Sequence, residues 1–114
     1  MNTVTLEVRS LADTLTDVAA AMETLTPSAP RISFETLALL WKVLTVKRWQ
    51  LIEALTGVGP VTIREAARRV QRDVKAVHGD VHALLNAGLL DKTEDGKIVF
   101  PYDAIHVDFM VKAA

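Results

Sequence analysis

TIREAARRVQRDVKAVHGDVHALLN, residues Thr62–Asn86, decides how this chain is read. Thr62 and Glu65 have the spacing of a capping box, in which each side chain can satisfy a backbone N–H at the other end of the first turn. Ile63, Ala66, Ala67 and Val70 fall at i, i+3, i+4 and i+7, so they share one helical face, and the small alanines let another helix approach. Gln71 and Arg72 form a turn, and Asp73 is placed to cap a second helix. There Val74, Val77, Val81, Leu84 and Leu85 line one face, while Lys75, Ala76, Gly79, His82, Ala83 and Asn86 lie opposite.

Working outward, Gly88 is placed as the left-handed residue that stops the second helix, with Leu89 as its hydrophobic companion. Two short strands, Leu89–Lys92 and Lys97–Phe100, flank Asp95-Gly96, a strong hairpin signal. Upstream, Gly57 to Pro60 breaks the chain after a helix from Val46 to Leu55 anchored by Trp49, Ile52 and Leu55. Phe34, Leu37, Trp41 and Leu44 predict a further helix before it. The order helix, turn, helix, hairpin is that of a winged helix-turn-helix, assigned to residues 31–103.

The ends read differently. Val4, Leu6 and Val8 alternate with polar residues over 3–9, as in a half-buried strand. Leu11, Leu15, Val18, Met22 and Leu25 then recur at spacings of four, three, four and three, a narrow heptad-like seam. TPSAPR, residues 26–31, is the candidate linker. Residues 1–30 are therefore expected to form a strand-helix dimerisation element, and residues 104–114 a C-terminal strand. The expected fold class is mainly α with a small β wing (α+β).

Composition bounds the function. The 114 residues suit one compact domain with an appended element and include no cysteine, so disulfides and thiolate metal sites are excluded. No apolar run is long enough to span a membrane, and residues 1–9 do not read as a signal peptide, so a soluble cytoplasmic protein without a membrane partner is expected. The net charge of -1 is unevenly spread: residues 41–75 hold eight basic and three acidic side chains, a local +5, and are flanked by segments of net -3. Local clustering, rather than pI, sets the electrostatic footprint for nucleic acid.

PVTIREAARRVQRDVKAVHGDVHALLNAGLL (60–90) followed by DGKIVFPYD (95–103) resembles a group of small prokaryotic winged helix-turn-helix regulators related to the MarR type, some of them similar to antitoxins. The resemblance covers roughly residues 46–109. It implies that Asp73–Asn86 is the recognition helix, Leu89–Phe100 the wing, and gene regulation the function.

Together these features predict a homodimeric DNA-binding repressor of its own operon that places helix 73–87 in the major groove of double-stranded DNA. The expected contact residues are Arg64, Arg68, Arg69, Arg72, Lys75, Gly79, His82 and Asn86, with Arg72 and Lys75 nearest the groove. The expected dimer seam is Leu11, Leu15, Val18, Met22 and Leu25. The alternative is an antitoxin or protein-interaction module that neutralises a cognate, co-expressed toxin.

Other signals read as structural. His78 and His82 have metal-ligand spacing on a helix, but no third ligand is evident in the sequence, so neither a metal nor a cofactor is expected. Trp41 and Trp49 fit helical apolar faces and are expected to anchor the core. Asp80 is expected to pair with an arginine or cap a helix. No serine, histidine or carboxylate constellation points to catalysis, and an enzyme is not expected.

Overall fold

The computed structural model describes residues 2–9 and 30–110. It is an α+β protein, with four helices and two small sheets among the described residues. The chain divides into two compact units, Val43–Asp103 and a second comprising residues 1–42 with 104–114.

The second unit is built on three strands, β1 (Thr3–Val8), β2 (Arg31–Phe34) and β5 (Ala104–Asp108), in the order β2-β1-β5 with both pairings parallel. Alternation in β1 puts Val4 and Leu6 fully inside. Phe34 at the end of β2 and Leu40 in helix α1 (Leu37–Val43) are buried as well.

The division expected at residue 31 thus falls after Lys42. RISF is a strand, not the end of a linker and the start of a helix, because its alternating Ile32 and Phe34 register with Leu6 and Val8 of the central strand. Residues 104–108, within the expected C-terminal strand, form a strand that pairs with β1 in the same sheet. The seam Leu11–Leu25 lies outside the described residues.

The Val43–Asp103 unit holds α2 (Val46–Leu55), α3 (Ile63–Val70), α4 (Val74–Asn86) and the hairpin β3 (Asp91–Lys92) with β4 (Ile98–Val99). The three helices pack on one another. Leu51, Ile52 and Leu55 of α2, Ala66 and Ala67 of α3, and Val77, Val81 and Leu84 of α4 supply the buried faces, joined by Leu89, Leu90 and Ile98. The alanine pair on α3 lets α2 and α4 approach, as the i, i+3, i+4 pattern requires.

Local chemistry sets the ends of these helices. Thr45, Thr62 and Asp73 each cap with a side-chain oxygen, accepting from the N–H of Arg48, Glu65 and Lys75 at 3.3, 3.1 and 3.0 Å. α3 stops at Gln71, which takes the left-handed conformation at φ 54°. α4 is followed by Gly88 at φ 83°, and Leu89 N–H closes back on Leu84 O at 3.0 Å. In the hairpin, Gly96 at φ 83° donates to Thr93 O at 3.0 Å. Val61, just before α3, exchanges both backbone hydrogen bonds with Ile98, so the hairpin is laced to the entry of the helix pair.

Candidate nucleic-acid interface

α4 presents two unlike faces. Val77, Val81 and Leu84 are fully buried. Lys75, His78, Gly79, His82 and Asn86 are exposed, and their spacing puts them along one outer stripe. Gly79 is the centre of that stripe. A Cβ built there would meet nothing within 4 Å, so no packing within the described chain requires a glycine. Mid-helix glycine costs about 1 kcal/mol relative to alanine.

The arginines of the helix pair are arranged differently from a uniform positive cluster. Arg64 is exposed and, among the described residues, has no carboxylate partner. Arg68 and Arg69 both turn to Glu65, with Arg68 Nη2 at 2.7 Å and Arg69 Nε at 3.1 Å from Oε1. The Glu65 carboxylate therefore serves these arginines, where a full capping box would direct it to the N–H of Thr62; only the threonine half of the box forms. The hydrogen bond from Arg68 is the main reason that the Glu65 carboxyl sits below its ordinary range.

Arg72, expected beside the groove, is instead largely covered. Its side chain is 19 % exposed and its Nη2 lies 2.8 Å from Asp80 Oδ2. Asp80 Oδ1 also accepts from Arg48 Nε at 3.0 Å, and Arg48 Nη1 donates to Val43 O at 2.9 Å. Asp80 thereby ties the start of α2 and the α3–α4 turn to the middle of α4. Burial pushes the Asp80 carboxyl up, but the hydrogen bonds and charges of Arg72 and Arg48 outweigh it and hold the group below its usual range. Arg48 was not singled out in the sequence. Its partner lies 32 positions away, and no local pattern announces the pair.

The hairpin tip carries Glu94 and Asp95, both exposed. Thr93 Oγ1 donates to Asp95 Oδ1, and this bond is the leading reason that the Asp95 carboxyl lies below its ordinary range. Lys97 Nζ approaches Asp95 at 3.6 Å.

In the strand-built unit Trp41 is 50 % exposed and meets Phe109 edge-on, ring centres 5.6 Å apart, so it does not anchor a core as its helical spacing suggested. Among the described residues no group of three or more metal-ligating side chains forms, and no helix is long and apolar enough to cross a membrane.

A family model described as HVO_A0114 matches residues 43–107. No curated protein and no solved structure matches the chain.

Proposed function

The chain belongs to the HVO_A0114 family, whose model takes in the helical unit and most of β5, and we propose that this unit is a winged helix-turn-helix that binds double-stranded DNA and regulates transcription. The observation that carries the proposal is the outer stripe of α4. A helix entering a major groove about 12 Å wide needs a small or polar outer face and an apolar inner one, and α4 has both. Gly79 removes bulk in the middle of the stripe, and no packing among the described residues calls for it. Lys75 at the first turn and Arg64 on the preceding helix are the exposed cations placed to meet phosphates. The β3–β4 hairpin, which follows α4 and is laced to Val61, supports reading it as a wing, although its acidic tip suits few backbone contacts.

Regulation by a homodimer is supported by the heptad spacing of Leu11, Leu15, Val18, Met22 and Leu25. Two copies of α4 related by a two-fold axis would read half-sites about 34 Å apart. The natural target is the operator of the chain's own operon, in the cytoplasm.

The test is fluorescence anisotropy on that promoter between 50 and 200 mM salt. Affinity should fall with salt, and Arg64→Ala and Lys75→Ala should each reduce the slope of log K against log salt by about 1. Binding that ignores salt and both substitutions would overturn the DNA-binding role.

A second reading, an interaction module of the antitoxin kind, is favoured by one observation. Leu39, Trp41, Phe109 and Met110 leave large apolar side chains at least 40 % exposed in the strand-built unit. Co-purification of a small neighbouring gene product, lost on Trp41→Ala, would support it.

A further inference from the structure

His78 and His82 stand one turn apart on the outer stripe of α4, both exposed, with their Nε2 atoms 3.1 Å apart. The ring centres are farther apart, 4.2 Å, with the planes inclined at 53°. The two nitrogens therefore lean toward each other, at hydrogen-bond distance on the exposed side of the helix. Zinc and its neighbours bind imidazole nitrogen at about 2.0–2.1 Å. Two nitrogens 3.1 Å apart, each at that distance from one ion, subtend an angle of roughly 95–102° at it. That angle lies between the cis angle of a tetragonal or octahedral ion and the tetrahedral angle.

We propose that His78 and His82 form a two-histidine site for one divalent late transition-metal ion, with its remaining coordination positions open. The donor set is two neutral imidazoles with no thiolate and no carboxylate, which suits copper(II), nickel(II) or zinc(II) and not magnesium or calcium. Asp80 is not a third ligand, because both of its oxygens are taken by Arg48 and Arg72. The open positions are filled by water in the free protein.

One consequence rests on the DNA-binding role of α4. An ion held on the outer stripe faces the groove, where purine N7 atoms are acceptors. It would add positive charge and a base ligand at the place where Gly79 supplies no side chain.

The experiment is isothermal titration of the full chain, without DNA, with copper(II), nickel(II) and zinc(II) chlorides in a non-chelating buffer. It is repeated on His78→Ala, His82→Ala and His106→Ala. The expected result is one ion per chain, tightest for copper, weakened at least about tenfold by either helix substitution and unchanged by His106→Ala. Circular dichroism checks that the exposed substitutions leave the fold intact. A rise in melting temperature with added ion, present in the parent and absent from both helix variants, reads the same site through stability. No binding, or binding that survives both His78→Ala and His82→Ala, overturns the proposal. Binding that depends on only one of the two histidines overturns it as well. Anisotropy with and without the preferred ion is a separate arm. Ion binding without any change in DNA affinity leaves the site in place and removes only its link to the groove.

Discussion

Two guanidinium groups from the positive block, Arg48 and Arg72, end on one carboxylate. Asp80 is 15 % exposed, so its partners matter more than in an exposed pair and less than in a sealed one. Asp80→Ala should cost about 2–4 kcal/mol at pH 7, between the limits for exposed and buried pairs. The pH dependence follows from the depressed carboxyl. A group that is more acidic folded than unfolded stabilises the fold above its unfolded value, about 3.9 for aspartate, and that contribution disappears as pH falls through the folded value. In urea titrations the gap between parent and variant should therefore be full at pH 7 and shrink below about pH 4. A gap of constant size across that range would show that the ion pair is not its source. Gly79 calls for the opposite experiment. Its Cβ position is open and its backbone is helical, so Gly79→Ala should stabilise by about 0.4–1 kcal/mol. If the outer stripe meets DNA, the same substitution should weaken binding while raising the melting temperature. A gain in stability with no loss of binding would remove α4's centre from the interface.

Between α3 and α4, electrostatics and helix signals meet. Glu65 holds Arg68 and Arg69, so two of the five basic residues of the pair are partly neutralised on their own helix. If the helix pair meets DNA as proposed, Glu65→Gln should free both for phosphate and make the affinity both higher and more steeply salt-dependent. An unchanged salt slope would place these arginines away from the duplex. The helix pair was legible because its signals are local: caps at Thr62 and Asp73, the apolar periods, and a glycine stop all act within a turn or two of chain. Gly88→Ala should cost about 1–2 kcal/mol, the usual expense of a left-handed non-glycine residue, and it can be read from a urea midpoint shift. β2 was hidden for the converse reason. Four residues of alternation are few, and its partner β1 lies 26 positions upstream in a parallel pairing that no turn motif marks. Phe34 also falls in helical step with Leu37, Trp41 and Leu44, and that coincidence drew the strand into a helix. Trp41 shows the same limit: periodicity gives a face, but not what that face meets. Among the candidate contacts, Arg72 misled for want of its partner, because exposure of a cation depends on carboxylates elsewhere in the fold.

At the scale of the whole chain, β5 returns to pair with β1, so the helical unit is inserted within a discontinuous strand-built unit. The helical unit ends at Asp103, where Pro101-Tyr102-Asp103 interrupts the alternating pattern of the sequence. Its start is unmarked in the sequence, because α1 runs one residue past the division without a break in composition. The arrangement makes independence testable. The Val43–Asp103 unit has its own buried set from α2, α3, α4 and the hairpin, and its backbone caps close within it. Expressed alone, residues 43–103 should fold cooperatively but marginally, as small domains do, with a urea m-value near the low end, about 1 kcal/mol/M. Loss of cooperative unfolding would mean that the helices depend on the strands outside them. The fragment also lacks the heptad seam, so it separates two parts of the proposed function. Specific DNA binding by a dimer should become weak, salt-sensitive binding by a monomer, and in the full chain Leu15→Asp with Met22→Asp should do the same. Sedimentation reads the outcome: if the double variant still sediments as a dimer, the seam is not the interface, whatever the fragment's affinity.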